Sequence, residues 1–88
     1  MDVFDYSQLH SKDALDRYVS HGIEPGGFLQ AMLRNDLMGA CRRADHLNIE
    51  RIPIWANYIY NELPSMCHGS KKLYDDWVQQ GGMLGAAT

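Results

Sequence analysis

Pro53-Ile54-Trp55-Ala56-Asn57-Tyr58-Ile59-Tyr60-Asn61-Glu62-Leu63-Pro64 is the stretch that decides the fold. Trp55, Ile59 and Leu63 recur every four residues, which puts them on one stripe of a helix, with Tyr58 adjoining the stripe and Ala56 and Tyr60 flanking it. Pro53 lacks an amide hydrogen and therefore suits the first helical turn, where that hydrogen has no partner to lose. Pro64 forces extended backbone on the residue before it and ends the helix. Tyr58 and Tyr60 point to different sides of such a helix, so one of them is expected to be partly exposed.

Working outward, Ser65 to Gly69 reads as a connector, and Ser70 caps a last helix over residues 71–80 that turns Leu73, Trp77 and Val78 inward. Gly81-Gly82 terminates it, and residues 83–88 are expected to be loose. On the other side the chain turns around Asn48. Before that turn, Phe28, Leu29, Met32 and Leu33 place two apolar pairs on one side of a short helix that follows the turn Glu24-Pro25-Gly26-Gly27. Asn35 and Asp36 are both good N-cap types, so a break is expected there, with a restart through Leu37, Ala40, Cys41 and Ala44. A single helix from 26 to 46, kinked or closely packed at Gly39, is the alternative. A first helix covers Lys12 to His21, with Ser11 as cap, Asp13 in the first turn, and Leu15, Tyr18 and Val19 inward. Gly22 supplies its left-handed stop, and Ile23 is placed to fold back on the last turn. Residues 1–9 are expected to be loose. No segment alternates as a strand does, so the expectation is all-α: one domain over residues 1–88, a compact bundle of about five short helices ordered over residues 11–80.

Eighty-eight residues, 45% of them hydrophobic, suffice for one core, a chain of that length burying a little over ~60% of its unfolded surface. Net charge is −3, which argues against a surface built to wrap phosphate backbones. Only residues 31–51 are locally basic, with Arg34, Arg42, Arg43 and Arg51 against three acids. No apolar run approaches the roughly twenty residues of a membrane span, and the N-terminus is acidic where a secretory signal is basic, so the protein is expected in the cytoplasm. Cys41 and Cys67 are unpaired in sequence and read as two buried or half-buried thiols.

Residue types for catalysis are all present, but their settings are not. Cys67-His68, Cys41 and His46 lack the tight paired spacing of a zinc site. Asp13/Asp16 and Asp75/Asp76 lie on solvated helix faces rather than in an apolar cleft that would shift a carboxyl pKa. No serine sits in a Gly-x-Ser-x-Gly turn, and Gly26-Gly27 lacks the preceding strand and the Lys-Ser/Thr of a phosphate loop. No catalytic residue, metal or cofactor is implied, and Asp36, Asp45 and Glu50 among the arginines point to internal ion pairs. What remains is surface, and Asn35, Asp36, Arg42, Arg43, Tyr58 and Tyr60 are the candidate binding residues, exposed tyrosine being enriched at protein interfaces.

The motifs PGGFLQAMLRNDLMGA (residues 25–40), RAD (residues 43–45), YIYNELPS (residues 58–65) and CHGS (residues 67–70) resemble a family of small proteins encoded by bacteriophages, prophages and plasmids. The resemblance covers residues 14–80 and carries a genomic context, not catalytic residues. It implies a small accessory protein of the bacterial host cytoplasm that binds a bacterial or phage protein as an inhibitor or modulator. A nucleic-acid-associated regulator using Arg34, Arg42, Arg43 and Arg51 is the alternative, although Asp36-Leu37-Met38-Gly39 is a poor opening for a recognition helix. Sequestration of a small anionic ligand is a third.

Overall fold

The computed structural model describes Tyr6, Leu9 and residues 12–86. The chain between the two prolines forms a helix, α4 (Ile52–Glu62), with Pro53 in its first turn and Leu63 capping it in extended backbone. Trp55 and Ile59 face inward and are buried, and a single 3-10 turn, Ile49–Arg51, leads into the helix. The other helices are α1 (Lys12–His21), α2 (Gly27–Leu33), α3 (Leu37–Arg43), α5 (Lys71–Gln80) and α6 (Gly82–Ala86), with a second 3-10 turn at Ser65–Cys67. Among the described residues there is no strand, so the fold is all-helical, with five helices of seven residues or more.

Local chemistry accounts for most of the boundaries. The Ser70 hydroxyl accepts the Leu73 amide at 3.1 Å to start α5, and Gly81 closes it in the left-handed region at φ 82°. Asp36 does the same for α3 through the Gly39 amide at 2.9 Å. Asn35, however, is no N-cap. At φ 61° it closes α2, with its own amide bonded to Met32 O at 3.2 Å and the Asp36 amide to Ala31 O at 2.8 Å, the paired bonds of a Schellman end. The break at 35–36 is therefore sharp, and the single helix from 26 to 46 does not form. The Ser11 cap lies outside the described residues.

The core joins Leu15 and Tyr18 of α1, Leu29 and Leu33 of α2, Trp55 and Ile59 of α4, Tyr74 and Trp77 of α5, and Leu9 and Cys67 from connecting segments. The Tyr18 and Tyr74 rings stack at 5.2 Å. Each polar tip in this cluster finds a partner, as buried polar groups must. The Tyr18 hydroxyl donates to Cys67 O at 2.6 Å, the Trp77 indole to Tyr18 O at 3.0 Å and the Tyr74 hydroxyl to Glu24 at 2.9 Å.

Several expectations give way. Tyr74, not Leu73, takes the inner position one turn before Trp77, because it can stack on Tyr18 and still satisfy its hydroxyl; Leu73 is on the surface. In α3 only Gly39 and Ala40 are buried. Leu37 and Cys41 are exposed, and Ala44 already lies in the extended cap, since a seven-residue helix packed chiefly on α2 has one narrow covered side. Cys67 is the buried thiol and Cys41 the open one. Ile23 is half exposed rather than folded back on α1. Of residues 83–88, expected to be loose, those described, 83–86, instead belong to α6 (Gly82–Ala86), which packs on α1. Gly22 and Gly82 let the two backbones touch: a Cβ on Gly82 would lie 2.5 Å from the Gly22 amide nitrogen, and both residues are in the left-handed region. Tyr6 and Leu9, likewise expected in a loose stretch, pack on the core.

Candidate functional site

Two sides of α4 have different fates. The Trp55 and Ile59 side enters the core, and the outer side, Ile52, Pro53, Ala56, Asn57 and Tyr60, forms one wall of a groove of about 720 Å³. Met32 and the α2–α3 turn, Asn35, Asp36 and Leu37, form the facing wall, and His68 and Gly69 close one end. The walls are held in register by backbone: the Gly69 amide donates to Leu33 O at 2.8 Å, tying the connector after α4 to the end of α2. The groove surface is mainly apolar with a polar rim, the usual make-up of a binding cleft.

Exposed apolar side chains stand beside the groove. Tyr60 is 78% exposed and Leu37 60%, and Met38, next to Leu37, is 75% exposed. Of the polar rim, Asp36 Oδ1 is occupied by the Gly39 amide, and Asn57 links Tyr6 and Asn61 at 3.1 and 2.9 Å. The His68 imidazole is half-buried, its Nε2 has no hydrogen-bond partner among the described residues, and burial lowers its pKa, favouring the neutral ring.

The six candidate residues thus separate. Asn35, Asp36 and Tyr60 come together on the groove. Tyr58 lies on the other flank of α4, edge-on to the Tyr6 ring at 4.9 Å and beneath the Lys12 ammonium at 5.8 Å; burial pushes its hydroxyl pKa up. Arg43 leaves the groove: its guanidinium reaches back to Gly39 O at 3.5 Å, and its stem runs so close to Gly27 that a Cβ there would meet Cδ at 3.1 Å. It braces α3 on α2. Arg42 is exposed and lines neither of the two clefts described.

Among the described residues Arg34, Arg42, Arg43 and Arg51 form no ion pair. Arg34 sits over the Tyr74 ring, its Cζ 4.6 Å from the ring centre, and Arg51 donates to Leu47 O at 2.8 Å. Asp45 instead accepts the Leu47 and Asn48 amides at 3.0 and 2.8 Å. Among the described residues the ion pairs are Arg17–Asp13, Lys71–Asp75 and Lys72–Asp76. All are exposed pairs one turn apart on α1 and α5, worth little to stability. The Arg17 hydrogen bond lowers the Asp13 pKa, and the Asp76 hydrogen bond raises that of Lys72. Arg34, Arg43 and Arg51 thus go to three separate contacts, and Arg42 is exposed.

A second cleft, of about 470 Å³, lies between Gly26-Gly27, Arg43, Asp45 and Trp55, whose indole donates to Asn48 at 3.2 Å. Among the described residues no three His, Cys, Asp or Glu side chains converge as metal ligands would, and no helix is long and apolar enough to cross a membrane.

Sequence reasoning missed Ala56, Asn57, Ile52 and His68 as groove residues, and it read Leu37 only as part of the restarted helix. One signal was present: Ile52, Ala56 and Tyr60 form a second four-residue stripe, so α4 is apolar on more sides than one core contact needs. No protein family, curated protein or solved structure matches the chain.

Proposed function

We propose that the chain is a non-enzymatic protein-binding module, an accessory protein of a phage or other mobile element that docks on a bacterial or phage protein. The observation that carries this reading is the apolar groove between α4 and the α2–α3 turn, with Tyr60 and Leu37 exposed on its edges. Water gains little by covering such a surface, and a protein partner that buries it gains both apolar area and an aromatic anchor. Asn35, Asp36 and Asn57 give the polar rim that orients a partner around an apolar centre.

The test compares tagged wild type with Ala56→Arg, a substitution at an exposed position in the groove wall. Both are expressed in a bacterial host, purified gently at low salt and analysed by mass spectrometry. The expected result is a stoichiometric protein retained by wild type and lost from the variant. Turnover of a nucleotide or ester by pure wild type, abolished by substituting His68 or Cys67 alone, would replace the binding module with an enzyme.

A further inference from the structure

We propose that the segment seated in the groove is an apolar stretch of a partner protein that carries a lysine or arginine, and that this cation pairs with Asp36. The proposal rests on reading the groove as a protein-docking surface and names the chemistry of what docks there.

The first argument is an unbalanced charge. Among the described residues that line the groove, Asp36 is the one carboxylate, and no lysine or arginine lines the groove with it. Three arginines come close to these residues in sequence, and each is turned elsewhere. Arg34, next to Asn35, covers the Tyr74 ring; Arg51, next to Ile52, donates to Leu47 O; Arg43, two turns along α3, donates to Gly39 O and makes no ion pair with Asp36. Asp36 Oδ1 accepts the Gly39 amide, and Oδ2 has no hydrogen bond among the described residues. A partner that covers this carboxylate without a cation takes it out of water uncompensated, and one that brings the cation avoids that cost. The same imbalance selects against acidic segments, which are opposed by Asp36 at the groove and by the net charge of −3 at a distance.

The second argument is the wall that faces Asp36. Tyr60 is the most exposed large hydrophobic residue described, and a cation over an aromatic face is attracted by the ring. The molecule makes that contact twice within itself, with Arg34 over Tyr74 and Lys12 over Tyr58. Ile52, Pro53 and Ala56 continue the same wall as apolar surface, along which the stem of a lysine or arginine can lie while its charged head reaches the rim. His68, the other titratable group lining the groove, is kept toward neutrality by burial and sets no positive charge against an incoming cation.

Selection of a ribosome-displayed library of random linear peptides on the full-length wild-type chain tests the proposal. The enriched peptides are expected to combine large apolar residues with lysine or arginine and to lack acids. A synthetic copy of the most enriched peptide should bind Asp36→Asn about fivefold more weakly than wild type, the worth of one partly exposed ion pair. Replacing its cation by glutamine should lose the same factor against wild type and nothing further against Asp36→Asn. Asparagine caps a helix as well as aspartate does, so α3 is kept and circular dichroism should be unchanged. No enrichment, enrichment of peptides without a cation, or binding indifferent to Asp36→Asn overturns the cationic partner. Ala56→Arg then tells that failure from a failure of the docking reading: a peptide that Ala56→Arg displaces still occupies the groove, and only the charge pairing is lost, whereas a peptide that it leaves bound takes the groove down as a docking surface as well.

Discussion

One side of the molecule, where α1, α5 and α6 meet, is closed; the other, between α4 and the α2–α3 turn, is open. On the closed side the hydroxyls of Tyr18 and Tyr74 and the Trp77 indole all have partners, and two glycines bring α1 and α6 into backbone contact. On the open side the side chains are as apolar, but Leu37 and Tyr60 pack against nothing that covers them. Composition therefore does not separate core from groove in this chain. Closure does, and closure depends on whether a second element reaches the apolar stripe. Stability should live on the first side and recognition on the second, and substitutions can set the two against each other.

The largest loss is expected at the glycine contact. Gly82→Ala adds a Cβ 2.5 Å from Gly22 N and 2.6 Å from His21 N, on a backbone at φ 73° that an alanine disfavours. Neither neighbour is a flexible side chain, so α6 must leave α1 or the backbone must strain, at a cost of about 3 kcal/mol or more. That is a large share of the total for a domain of this size, roughly 4–13 kcal/mol. Urea titration should show a lower midpoint, and a midpoint unchanged from wild type would mean that the α1–α6 contact contributes nothing.

Alkali attacks the same side. Burial pushes the Cys67 thiol from its ordinary value near 9 up to about 11, and it raises the Tyr18 and Tyr74 hydroxyls as well. In the unfolded chain the thiol loses its proton first, so the folded state holds a proton that the unfolded state has given up. This contribution is fully present below pH 9 and lost as pH rises through 11, amounting to about 3 kcal/mol at most. The tyrosines act in the same direction at higher pH. Cys67→Ala should flatten the first part of the decline in denaturation midpoint, and a decline of unchanged steepness in that variant would mean that the thiol is not its source.

The same division explains what could be read from sequence. Pro53, Pro64, Ser70 and Gly81 act on their own neighbours, so the limits of α4 and α5 are legible wherever the chain is read locally. Leu73 and Tyr74 both lie one turn from Trp77, and only the Tyr18 ring, more than fifty residues away, decides between them. The α1–α6 contact joins two glycines sixty residues apart. Asn35 and Asp36 look alike as caps; their separate duties emerge only when α2 ends in the left-handed region. Of the groove, Asn35, Asp36 and Tyr60 were legible, because turn chemistry and an aromatic out of phase with the core are local signals. Ala56, His68 and Leu37 were not, since the groove is made by three segments that meet only in the fold.

The smallest effects on stability are expected on the open side, and two neighbouring substitutions separate its framework from its surface. Asp36→Ala removes the side chain that accepts the Gly39 amide at the start of α3, an interaction worth about 1 kcal/mol. Tyr60→Ala removes a far larger side chain, but one that is 78% exposed, and its effect on stability should stay within about 0.5 kcal/mol. Urea titrations of the two variants should thus rank them against their size, the carboxylate ahead of the aromatic ring. If Tyr60→Ala proved the more destabilising, the ring would be part of the core, and the open side would be a packing surface of the monomer instead of a place for a second molecule.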